Sequence, residues 1–205
     1  MYHLPHFKAN HPEDVFAFMQ AHPLVTLCGT TSEDWPVATH IPILIHQRND
    51  TIFITGHLMR NQVHTNAFEV NPKVLAIFQG ADSYISASWY SQPSQASTWN
   101  YMSVHASGIM RFLDDKALYE LLVQQTRYFE GQSHSVADVD KMSTDYVQEN
   151  MKAIVAFEIE VTACNHVFKL SQNKDAQSFH SVVTHLQNGN ALQKDLANEM
   201  LKTKI

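Results

Sequence analysis

The chain has 205 residues, 44% of them hydrophobic, which is enough for one ordinary domain with a substantial core. Only 17% are charged and the formal net charge is −6, the wrong sign for a surface that neutralises duplex phosphates. No run of Lys and Arg exceeds an isolated pair such as Lys202 and Lys204, so direct DNA binding is not expected.

Cys28 and Cys164 form no CxxC motif and lie in apolar runs, which predicts buried, reduced thiols. The opening Met1-Tyr2-His3-Leu4-Pro5 has neither the basic start nor the apolar stretch of a cleavable signal. No stretch approaches the roughly 18 apolar residues that span a bilayer. The expectation is a soluble, cytoplasmic protein with no membrane contact.

Asn10-His11-Pro12-Glu13 predicts a helix capped by Asn10, with Val15, Phe18 and Met19 on one face and a stop at Pro23. Strands follow over 24–30 and 36–45, separated by the turn Ser32-Glu33-Asp34, and Asn49-Asp50 turns the chain into a strand over 51–55. Residues 56–69 are polar and helix-compatible, and 73–79 return as a buried strand. A Ser/Gln-rich loop over 91–97 precedes a cleanly alternating strand over 101–113. Leu118, Leu121, Leu122 and Phe129 mark a helix from 115 to about 129, and 153–161 is an amphipathic strand. From about residue 178 the tail reads as two helices broken at Asn188-Gly189. Hairpin-joined strands with inserted helices and no βαβ rhythm predict a single α+β domain over 1–205, organised on an antiparallel barrel.

Arg60 lies where the strand over 51–55 gives way to a helix, beside Gly56 and Asn61. Free backbone N–H groups and an arginine fork at such a junction suit a phosphate, with Thr55 adding a hydroxyl. A surface arginine at its own helix start fits equally well. Tyr84, Trp89, Tyr90, Trp99 and Tyr101 flank the loop over 91–97. They suit a planar ligand, a subunit interface or ordinary core packing. The thirteen histidines include His40, His57, His64 and His105 near these segments, and the pairs His3/His6 and His180/His185. None has a third ligand nearby in the sequence, so structural histidines are expected and no metal. HExxH, GxSxG, P-loop and GxGxxG motifs are absent, and no residue is singled out as a general acid or base.

Five stretches in order resemble the PaiB family, FMN-binding negative transcriptional regulators with the split barrel of pyridoxamine-phosphate oxidases. They are Ala38-Thr39-His40-Ile41-Pro42, Gly56-His57-Leu58-Met59-Arg60, Tyr84-Ile85-Ser86-Ala87-Ser88-Trp89-Tyr90, Thr98-Trp99-Asn100-Tyr101 with Val104-His105, and Lys169-Leu170-Ser171-Gln172-Asn173. The resemblance implies an antiparallel Greek-key split β-barrel and a homodimer binding FMN between subunits. By the same resemblance His40 and Ile41 lie along the isoalloxazine, and Thr55, His57, Arg60 and Asn61 hold the phosphate. Trp89, Tyr90, Trp99 and Asn100 line the site, and Lys169 and Gln172 close it. Two departures are Asn61-Gln62-Val63-His64, where relatives carry an Ala-Asn-Pro-Gln-like run, and Gly80-Ala81 for Gly-Pro. Three functions follow: a flavin-dependent oxidoreductase, a regulator without turnover, or a haem-binding split barrel.

Overall fold

The computed structural model describes residues 1, 4–131 and 135–203; His3 and Lys204 lie outside the described residues. Helix α1 (Pro12–Ala21) starts with proline at its first position, and the His11 N–H donates to Asp14 Oδ2 at 3.1 Å. The reach-back expected of Glu13 toward Asn10 is therefore made one residue on, by Asp14. Strands β1 (Leu24–Thr30) and β2 (Pro36–Pro42) form a hairpin in register Leu24↔Pro42 to Thr30↔Pro36. Its turn is held by the Thr31 hydroxyl, which accepts from Glu33 and Trp35, and by Asp34 at φ 63°. Strands β3 (Leu44–Arg48) and β4 (Thr51–Met59) turn at Asn49-Asp50, with Asn49 at φ 54°.

Two expected boundaries move. The strand over 36–45 divides at Ile43, whose N–H leaves the ladder for the Pro23 carbonyl at 2.9 Å while its side chain is buried. Strand β4 runs four residues past Thr55, leaving only Val63–Val70 for helix α2. Gly56 continues the strand because a Cβ there would stand 2.7 Å from Phe157 Cζ, so the glycine marks a close approach inside the sheet.

Strands β5 (Lys73–Ile85), β6 (Thr98–Phe112) and β7 (Ile154–Lys169) are longer than their apolar runs. The polar Thr162-Ala163-Cys164-Asn165-His166 hides the second half of β7. There the Thr162 hydroxyl donates to the Ser107 carbonyl, and Cys164 is exposed, not buried; Cys28 is partly buried. The strand order is β2-β1-β5-β6-β7-β4-β3, and β7 sits between β6 and β4, a Greek-key crossover. Helix α3 (Asp115–Glu130) is capped by Asp114 and ended by Gly131 at φ 65°. Helix α4 (Thr144–Met151) starts at Ser143, whose Oγ accepts from the Tyr146 N–H, a signal passed over in the sequence. Helices α5 (Ala176–Gln187) and α6 (Ala191–Lys202) break at Asn188-Gly189 as expected, and Asn190 with Gln193 forms a capping box.

The chain falls into two compact units, one of Met1–Phe18, Gln79–Val104 and Asn165–Ile205, the other of Met19–Phe78 and His105–Cys164. In the first, Phe179, Val182, Leu186, Leu196 and Met200 are buried on α5 and α6. In the second, Leu27, Ile54, Phe78, Phe157 and Ile159 are fully buried on the strands, each worth about 1.5–3 kcal/mol relative to exposure. Glu158 of β7 is nearly buried between two arginines and a histidine of that unit. Arg111 Nη2 bonds Oε1 at 2.5 Å, Arg48 bonds Oε2, and His46 Nε2 lies 3.7 Å from Oε2.

Candidate functional site

Strand β4 presents Thr55, His57 and, just past its end, Arg60. Thr55 is buried and pairs with Leu44 and Glu158. Five residues at roughly 3.3 Å each put Thr55 about 16 Å from Arg60 along the chain. The Arg60 N–H donates to the Ala153 carbonyl at 2.8 Å, which fixes the turn. Its guanidinium does not bond α2; it meets Asp115 Oδ1 at 3.4 Å, with side chains 40% and 81% exposed. Such a pair contributes little and exchanges readily for a stronger anion. Asn61 holds φ 59°, and Gln62 puts no side-chain cap on α2, whose first turn carries no carboxylate. That leaves the helix start suited to an anion.

His57 is positioned by a residue the sequence reading missed. Its Nδ1 lies 2.9 Å from Gln125 Oε1, and Gln125 Nε2 donates to the Pro42 carbonyl at 3.2 Å. Because Gln125 must donate to Pro42, its oxygen accepts from His57, which fixes the Nδ1–H tautomer and leaves Nε2 as an acceptor. Burial pushes the His57 pKa down, and the Gln125 bond partly offsets this. The same amide ties β4 to the end of β2. There Ile41 is buried opposite Val25 and His40 is exposed opposite Thr26, on a strand laddered only to β1 among the described residues. Gln125 falls seven residues after Leu118, a polar residue on an apolar stripe, and that was the available signal.

The other candidates lie in the first unit. Trp89 stacks on His185 at 4.8 Å with rings 12° apart. Tyr90 is 8% exposed with the Lys174 ammonium 4.3 Å over its ring, and its Oη has no hydrogen-bond partner among the described residues. Trp99 is 54% exposed and meets Tyr84 edge-on at 6.2 Å. Asn100 is fully buried; Nδ2 donates to Ser171 Oγ at 2.8 Å and Oδ1 has no partner among the described residues. Lys169 donates to Thr98 Oγ1 at 2.5 Å, and its pKa is lowered first by burial and then by Lys174. Gln172 turns back on its own chain, accepting from the Leu170 N–H at 2.7 Å and donating to the Phe168 carbonyl at 2.5 Å. It locks the turn at Ser171 (φ 59°).

This Greek-key antiparallel sheet with inserted helices defines a split-barrel protein. The conserved hypothetical protein Rv2991 of Mycobacterium tuberculosis matches with TM-score 0.60 and 11% identity, over 84% of this chain and 92% of that one. The FAD and heme binding protein of Mycobacterium smegmatis matches with TM-score 0.60 and 15% identity, over 84% and 78%. At such identities the likeness shows the fold alone. The family model described as "Putative FMN-binding domain" matches residues 1–163. The protease synthase and sporulation protein PAI 2 of Bacillus subtilis is 34% identical over 209 residues, covering 100% of both chains. The chain belongs to this family, the FMN-binding PaiB split barrels.

Proposed function

We propose that the chain works in the cytoplasm as a homodimeric FMN-binding flavoprotein in which Arg60 holds the flavin phosphate. The observation that carries the reading is Arg60 itself. It is a half-exposed guanidinium at a strand end, beside a helix start with no side-chain cap, and its ion-pair partner among the described residues is an exposed aspartate. Asn61 shapes the turn around it. Thr55 and His57, farther back on β4, face the ring end of the ligand with His40 and Ile41 of β2, and His57 offers Nε2 as a neutral acceptor. Within the first unit, Tyr90 Oη and Asn100 Oδ1 are buried polar atoms with no partner among the described residues, and each such unmet group costs about 1–3 kcal/mol. Trp89 and Trp99 supply aromatic surface beside them, and Lys169 supplies a cation.

When bound, the flavin supplies the redox chemistry; the residues around it bind, orient and exclude water. The test is the absorption spectrum of the purified protein with identification of the released cofactor. Bands near about 375 and 450 nm, with FMN recovered on denaturation, are expected of a flavin site. A Soret band in their place would move the assignment to haem. A second reading, carried by the resemblance to the PaiB family, is a role in regulation that does not require turnover.

A further inference from the structure

Beyond Arg60, on the side of α3 and α4, lies a cavity of about 800 Å³, within the usual range for small-molecule sites. Its lining combines two kinds of chemistry. Arg60, Lys116 and Lys152 contribute cations, and Asp115 and Asp140 contribute carboxylates. Among the described residues each cation is paired with a solvent-exposed carboxylate: Arg60 with Asp115 at 3.4 Å, Lys116 with Glu120 at 3.9 Å, and Lys152 with Glu149 at 2.5 Å. The Lys152 and Glu149 side chains are 72% and 73% exposed. Exposed pairs of this kind yield to a better-placed anion.

Tyr119 and Asp140 are satisfied within the protein. The Tyr119 hydroxyl donates to Asp140 Oδ1 at 2.8 Å, and Arg127 bonds Asp140 Oδ2 at 2.5 Å. Tyr119 therefore offers a ligand its ring, not its hydroxyl. Buried Val139 and Val147 add apolar lining, and the unbranched side chains of Met142 and Met151 can follow an irregular shape.

We propose that this cavity is a second ligand site, which takes a small organic anion with an apolar body: the acid group between Arg60, Lys116 and Lys152, the body against Tyr119, Val147 and the methionines. The proposal rests on the reading that Arg60 also holds the flavin phosphate, so Arg60 is shared between the two anions while Lys116 and Lys152 belong to this cavity alone. The test titrates octanoate, octanol and octylamine into the FMN-loaded full-length protein by calorimetry. Octanoate is expected to bind at one site per chain, at least tenfold more tightly than octanol, with octylamine weakest. Lys152→Met, at an exposed position, should weaken octanoate several-fold and leave octanol and FMN unchanged. Val147→Trp should abolish octanoate binding with FMN affinity intact, flavin retention showing that the variant is folded. Octanol binding as tightly as octanoate, or octanoate unaffected by Lys152→Met, would overturn the proposal. Octanoate displacing FMN would show the cavity to be the flavin's own site and overturn it too.

Discussion

Arg60 and His57 sit three residues apart, yet different forces set their chemistry. Arg60 is held by a backbone bond to Ala153 and keeps its side chain half exposed, whereas His57 is fixed by Gln125 and burial. The His57 pKa is therefore expected below the ordinary value near 6.5. Above that value both folded and unfolded chains hold it neutral and it has no effect. As pH falls through the window the unfolded chain protonates first, so stability attributable to His57 declines toward low pH. Gln125→Leu removes the bond that raises the pKa and should lower it further. NMR titration of the imidazole signals checks both, and a His57 titrating at or above 6.5 in the native protein contradicts the burial argument. Arg60, His57 and Thr55 could be picked out as candidates in the sequence because they share one short stretch. Gln125 was hidden because its partners, His57 and Pro42, lie 68 and 83 residues away. The back-folded Gln172 amide was hidden too, since its bonds depend on the turn at Ser171.

Among the elements, the hairpin turns could be read directly, because Ser32-Glu33-Asp34 and Asn49-Asp50 act locally. Strand ends could not, because glycines that look like breaks are close approaches between strands. Gly56 faces Phe157 Cζ at 2.7 Å from an added Cβ, a ring that can shift; Gly108 faces the Glu160 carbonyl oxygen at 2.4 Å, which is backbone. Gly56→Ala should cost about 1–3 kcal/mol, the usual range for overpacking, and Gly108→Ala more. Urea denaturation reports both values, and the reverse order would show that β7 yields more easily than the Phe157 ring. The Glu158 cluster joins β3, β6 and β7 through Arg48 and Arg111. Glu158→Gln should destabilise by about 1–3 kcal/mol, as expected when charge-assisted bonds to a nearly buried carboxylate weaken. The same denaturation measurement checks it, and an unchanged midpoint would show the cluster to be dispensable.

At the scale of the whole molecule, composition spoke to partners more than to chemistry. The exposed Trp99 and Tyr84, with only 17% charged residues, suit a subunit interface, so light scattering should report a dimer at micromolar concentration. A flavin-loaded monomer would contradict it. Tight duplex-DNA binding is not expected at physiological salt. The net charge is −6, and on α6 the cations Lys194 and Lys202 are balanced by Asp195 and Glu199, Lys202 pairing with Glu199 at 2.7 Å. Fluorescence anisotropy from about 50 to 200 mM salt checks this, since multiple phosphate contacts lose affinity steeply over that range.

The most direct measurement is a fluorescence titration of FMN and riboflavin into the native protein and Arg60→Ala. A charge-assisted bond to phosphate contributes about 1.5–3 kcal/mol, so losing the guanidinium should weaken FMN at least tenfold. Riboflavin, which lacks the phosphate, should lose little. Equal losses for the two ligands, or none for FMN, would contradict the assignment of Arg60 to the flavin phosphate.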